Sequence, residues 1–254
     1  MPPPIIALAF LFGLIVGSFL NVCIHRLPRG QSLVHPPSTC PSCQRRLRWR
    51  DNVPVISWVL LRARCGQCGE PISARYPIVE LTTGVLFALV AAITPDPVLA
   101  ASHLIFTAAL IVLFAIDLEH QILPNVITLP GIVAGFLFAL VTPVGWLDSL
   151  LGILLGGGIL YAIAAGYYAV RKEEGLGMGD VKMLAMIGAF LGWQAVLITL
   201  VLASVSGSII GVGMIAASRG SMKYALPFGT FLAMGAFAAM TIGQPLLEWY
   251  MSFY

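Results

Sequence analysis

The sequence predicts an all-α polytopic membrane protein with about eight transmembrane helices and a small zinc-bound cytoplasmic loop domain after the first helix. Three observations carry this. Of 254 residues, 59% are hydrophobic and only 10% are charged, and a soluble domain carries far more charge. Several apolar runs are long enough to cross a bilayer. Nine of the fourteen Lys and Arg fall between Arg26 and Arg75, a cytoplasmic-loop signature that needs no nucleic acid to explain it. The expected organisation is a first helix at 1–24, a four-cysteine loop domain at 25–75 and a multi-helix membrane core at 76–254.

Taken in order, the chain opens Met-Pro-Pro-Pro with no basic stretch, which argues against a cleavable secretory signal. Residues 5–24 read as the first span. His25, Arg26 and Arg29 follow it and place the N-terminus outside. Cys23 reads as a small packing residue. Residues 76–94 form the second span, with Pro77 suited to its first turn. Glu80 lies one turn in and has two readings, an answer to the helix dipole or part of a substrate groove. Residues 98–116 return inward and 126–141 go out, and Asp148 reads as a cap in the outer turn. Residues 150–170 come back, with glycines at 156–158 for close helix packing. Residues 181–193 are too few to cross comfortably alone, about 20 Å as a helix. Residues 195–217 return to Arg219 and Lys223, and 226–242 leave the C-terminus outside. No repeat or low-complexity segment is evident.

The loop carries C-P-S-C at 40–43 and C-G-Q-C at 65–68. Two such pairs at this separation are a strong zinc signal. Each turn brings two sulfurs to one side, and two turns complete a closed S₄ site. Cys40, Cys43, Cys65 and Cys68 are therefore the expected ligands, and zinc should organise the loop without doing chemistry. Paired disulfides fit an inner location less well. Arg45, Arg46, Arg48 and Arg50 admit a nucleic-acid patch or contact with anionic lipid headgroups. Lipid is favoured because both ends of the loop are tied to the membrane.

Two further acids stand at the inner ends of apolar runs. Asp117 abuts the third span, whereas Glu119 and His120 look like wet loop. Asp180 follows G-L-G-M-G at 175–179 and directly precedes an apolar run. Glycines there permit backbone conformations closed to other residues. Asp180 has a plain reading as a helix N-cap and a functional one as an ionisable group at the membrane. A close carboxylate pair sharing one proton supplies both the base and the acid that peptide hydrolysis needs. Such a pair titrates as a unit. A proton-coupled transporter or a scaffold also uses membrane acids. These acids, however, lie at one face instead of midspan, and no broken-helix repeat is visible.

Four stretches together resemble the type IV prepilin leader peptidases, bacterial inner-membrane aspartic proteases of the G-x-G-D class. They are G-S-F-L-N-V at 17–22 with H-R-L-P at 25–28; the cysteine loop with D-N-V-P-V-I-S-W at 51–58 and R-Y-P-I-V-E at 75–80; I-D-L-E-H-Q-I-L-P-N at 116–125; and G-M-G-D-V-K at 177–182. The resemblance implies that Asp117 and Asp180 are the catalytic pair, with Gly177 and Gly179 the motif glycines. It also implies that the four cysteines bind zinc. The implied substrates are type IV prepilins and type II secretion pseudopilins, cleaved after a glycine on the cytoplasmic side. The family's bifunctional members then methylate the new amino terminus with S-adenosylmethionine. The sequence assigns no residue to that cofactor, and a peptidase without methyl transfer is the competing reading. Glu80, Glu119, Glu173 and Glu174 are candidates for attracting a basic leader.

Overall fold

A computed structural model describes residues 1–253 apart from 36, 41, 173–176 and 218–225. Glu173, Glu174, Gly175, Arg219 and Lys223, invoked above, lie outside the described residues. The chain divides into two compact units, Met1–Pro95 and Asp96–Tyr254. The helix at 75–93, grouped from sequence with the downstream core, belongs to the first.

In the first unit, α1 (Pro3–Arg26) packs against α3 (Arg75–Ile93). Glycine makes the approach possible. A Cβ on Gly13 would lie 2.7 Å from Gly84 Cα, and one on Gly17 would lie 2.7 Å from Glu80 Cα. Small residues at such seams let backbones come together where lipid offers no hydrophobic driving force. Asn21, buried in the seam, donates to the carbonyls of Gly17 and Tyr76. Cys23 is buried and unpaired with another cysteine, as a packing residue should be. The connection between the helices holds a 3₁₀ turn at Trp49–Asn52, the short α2 (Ile56–Leu60) and the two cysteine turns.

The second unit holds α4 (Pro97–His120), α5 (Asn125–Ala139), α6 (Trp146–Arg171), α7 (Met178–Leu191), α8 (Trp193–Ala217) and α9 (Phe228–Met251). Its centre is α7, whose residues 181 and 183–190 are all buried. Met183, Leu184, Met186, Ile187 and Phe190 pack with Phe106, Leu113 and Leu232 from α4 and α9. Against α6 the contact is again glycine on glycine. A Cβ on Gly188 would collide with the Gly152 backbone, and one on Gly156 with that of Leu184. Ser149 pins the same pair of helices by donating to the Ala189 carbonyl at 2.8 Å. The expected glycine run contributes only in part, since Gly158 faces open space.

Among the described residues eight helices have ten or more residues, against about eight expected spans. Six are long and apolar enough to cross a membrane, while α5 and α7 have only 15 and 14 residues. Large apolar side chains such as Leu8, Phe12, Leu154, Ile209 and Val212 point outward, as a lipid-facing surface requires.

Three local expectations change. Glu119 and His120 are not loop: α4 runs through them and ends at Gln121, which takes left-handed backbone with φ 54°. Polar residues do not stop a helix whose backbone bonds remain satisfied. Asp148 is not the cap of α6, because Gly145 occupies that position and Asp148 lies in the first turn. The cysteine turns do form a repeat. Thr39 bridges Arg46 around the first pair and Arg64 bridges Pro71 around the second. The Cys40 and Cys65 amides donate to the carbonyls of Arg45 and Glu70, five residues on in each case. Gln44 and Gly69, each one residue past the second cysteine, both have positive φ.

Candidate functional sites: a four-thiol cluster and a membrane acid pair

The two matching turns converge. The Sγ atoms of Cys40, Cys43, Cys65 and Cys68 lie within 4.8 Å of one another, and those of Cys40 and Cys68 are 3.8 Å apart. A tetrahedral metal with Zn–S of about 2.3 Å would set its sulfurs about 3.8 Å apart. The cluster therefore fits a metal of zinc's size and softness. The local electrostatics agree. Backbone hydrogen bonds from Cys43 and Ser42 draw the Cys40 thiol down to about 7. The Glu70 backbone pulls the Cys68 thiol the same way. Desolvation and hydrogen bonding with the Cys65, Cys40 and Cys43 sulfurs outweigh that pull and push it up to about 12. Four sulfurs this close cannot all carry charge unaided, and a divalent cation removes that conflict.

Glu80 is 7% exposed, and its carboxylate accepts the Val55 amide at 2.7 Å. Val55 is a β-branched residue with φ 61°, a costly backbone that surrounding structure must hold in place. Glu80 thus anchors the loop onto α3, a role that neither of its sequence readings named.

In the second unit, Asp117 is 5% exposed in the last turn of α4. Its Oδ2 accepts the Thr230 amide at 2.7 Å and the Thr230 hydroxyl at 3.1 Å, both from the first turn of α9. Asp180 is half-buried in the first turn of α7. It is not the N-cap, a position held by Gly177, and the Gly177 backbone hydrogen-bonds to its carboxylate. The Asp117 and Asp180 charges interact directly. Leu123 ties the constellation together. A Cβ on Gly179 would lie 2.9 Å from Leu123 Cβ, and one on Gly229 would lie 2.9 Å from Leu123 Cδ1 and 3.0 Å from Asp117 Oδ2. Beside the pair, Lys182 donates to the Asn125 side chain at 2.9 Å. Glu119 and His120 face each other at 3.9 Å near the surface.

The structure therefore brings Asp117, Asp180, Gly177 and Gly179 together. It adds Leu123, Gly229 and Thr230, which the sequence reading missed. The available signal, Pro-Phe-Gly-Thr at 227–230, lies inside the apolar run 226–242, which hydropathy marks only as membrane.

Fold and site together define a class: a helical, multi-pass membrane protein in which two acids from different helices lie within electrostatic reach of each other. Residues 104–212 match the Type IV leader peptidase family, and residues 11–94 match the Bacterial Peptidase A24 N-terminal domain. The chain is 38% identical to a prepilin leader peptidase/N-methyltransferase of Aeromonas salmonicida (strain A449) over 97% of its own length and 94% of the relative's. It is 36% identical to the Aeromonas hydrophila protein of that name, covering 97% and 93% of the two chains. It is 34% identical to the Stutzerimonas stutzeri one, covering 99% and 96%. No solved structure matches. The chain belongs to the type IV leader peptidase family.

Proposed function

We propose that this chain is a membrane aspartic endopeptidase of the bacterial inner membrane. It removes the short basic leader from type IV prepilins and type II secretion pseudopilins at the cytoplasmic face, then methylates the new amino terminus. The observation that supports this most is the pair itself: Asp117 and Asp180, from separate helices, with interacting charges.

Two carboxylates that share one proton supply complementary groups. Water adds to the scissile carbonyl carbon and gives its proton to the ionised carboxylate. The protonated partner then donates to the departing nitrogen as the C–N bond breaks. The leader leaves with a new carboxyl group, the mature chain gains an amine, and the pair again holds one proton. A Cβ on Gly179 would lie 2.9 Å from Leu123 Cβ, and one on Gly177 would crowd the Asp180 carboxylate at 3.2 Å.

Zinc on the four thiols would cross-link the two cysteine turns and leave no open coordination position for catalysis. S-adenosylmethionine would supply the methyl group, and no cluster among the described residues is assigned to it. Arg45, Arg46, Arg48 and Arg50 suit anionic lipid headgroups, with no role for nucleic acid.

The test uses purified protein in detergent with a prepilin, comparing wild type with Asp117→Asn and Asp180→Asn. The readout is product mass with and without S-adenosylmethionine. Leader loss in wild type alone, and a methyl group's added mass only with the cofactor, are expected. Cleavage surviving in both folded variants would return the aspartates to being helix-end residues.

A further inference from the structure

Asp117 and Asp180 are held very differently. Asp180 is half-buried and, among the described residues, is bonded only from within its own first turn, by Gly177. Asp117 is gripped from a helix 113 residues away: the amide and the hydroxyl of Thr230 both converge on Oδ2. Thr230 is itself 4% exposed. The Gly229 backbone also hydrogen-bonds to Asp117, and a Cβ on Gly229 would come within 3.0 Å of Oδ2 and 2.9 Å of Leu123 Cδ1. The Asp117 carboxylate is thus held by the Thr230 amide, the Thr230 hydroxyl and the Gly229 backbone. A carboxylate turns about its last side-chain bond with little resistance, and this socket stops that turn.

We infer that Thr230 and Gly229 are positioning residues for Asp117: they fix Oδ2, so that Oδ1 is the oxygen presented to the attacking water, while Asp180 is the member free to adjust to the substrate. This rests on the catalytic reading of the pair. Thr230 supplies the hydroxyl that completes the grip, and Gly229 supplies the space that lets α9 reach the carboxylate. Neither residue touches the substrate in this scheme. Their effect belongs to the chemical step, where a small misplacement of a reacting group costs up to about 100-fold in rate.

The experiment measures kcat and KM separately on a prepilin, with full-length protein in detergent, for Thr230→Val, Thr230→Ala, Thr230→Ser and Gly229→Ala. Thermal unfolding of each variant runs alongside. Thr230→Val should lower kcat by about 10- to 100-fold with KM nearly unchanged, the pattern of an interaction that acts on the reaction and not on binding. Thr230→Ser, which keeps both donors, should restore most of the rate. Gly229→Ala should also lower kcat, because its methyl displaces the carboxylate. If Thr230→Val does not fold, Thr230→Ala carries the same comparison with Ser. Wild-type kcat in folded Thr230→Val or Thr230→Ala, an effect confined to KM, or a Ser variant as slow as Val would each overturn the inference. Failure of the underlying reading is recognised separately, by Asp117→Asn itself cleaving at the wild-type rate.

Discussion

The two units each bury an acid in an apolar helix, in nearly the same way. Glu80 on α3 and Asp117 on α4 are 7% and 5% exposed, and each accepts a backbone amide at 2.7 Å. What differs is the company. Asp117 lies within electrostatic reach of Asp180, whereas no second acid acts on Glu80 among the described residues. Glu80 meets the amide of a residue in strained backbone and anchors a loop. A buried carboxylate in a membrane helix is therefore a functional candidate only until its partner is known. One carboxylate that meets a donor is architecture, and two that meet each other can share a proton.

That contrast can be broken at either end. The largest effect should come from Asp117→Asn and Asp180→Asn, each lowering cleavage by on the order of 1,000-fold or more while thermal unfolding and metal content stay as in wild type. A comparable loss in Glu80→Gln would erase the distinction between the two acids. Next comes Cys40→Ser or Cys65→Ser. Metal measured by elemental analysis should fall to near zero and the loop should become sensitive to protease, while folded protein still cleaves. The same cluster should release metal as pH falls, because protons compete for the thiolates. A cysteine variant that keeps its loop but loses cleavage would give the metal a part in the reaction. Glu80→Gln should act on stability instead, by about 1–2 kcal/mol from weakening a buried hydrogen bond to a charged group, read as a lower unfolding temperature with kcat preserved. The smallest effect belongs to Glu119→Gln. Its carboxylate lies 3.9 Å from His120 near the surface, and processing of a basic leader should be unchanged. A marked rise in KM would instead restore Glu119 as a leader-binding group.

Much of this was legible in the sequence because its signals are local. A Cys-x-x-Cys turn states its own geometry, and apolar runs state their own solvent. Helix ends were less legible, because hydropathy marks where lipid stops and not where backbone bonding stops. α4 accordingly continues through Glu119 and His120 to a left-handed Gln121. The repeat in the cysteine turns was hidden because it is a repeat of backbone: Gln44 and Gly69 share a conformation but not a side chain. The socket around Asp117 was the least legible part. Gly229 and Thr230 make sense only against a carboxylate 113 residues earlier, and no periodicity in one segment reports on a partner so distant in the chain.

The glycine seam between α1 and α3 has a consequence for the metal cluster. Close packing of Gly13 on Gly84 and of Gly17 on the Glu80 backbone fixes both ends of the segment that carries the four thiols. The two cysteine pairs are thereby confined to a small volume before any ion arrives, so their effective concentration toward each other exceeds that in a free peptide. By linkage the benefit runs both ways: an ion bound by the thiols stabilises the helix hairpin, and a hairpin loosened by a bulkier residue at Gly17 surrenders its ion at a lower chelator concentration. Affinity for a metal on these thiols would thus be set partly inside the membrane, by three residues, Gly13, Gly17 and Gly84, that have no side chain at all.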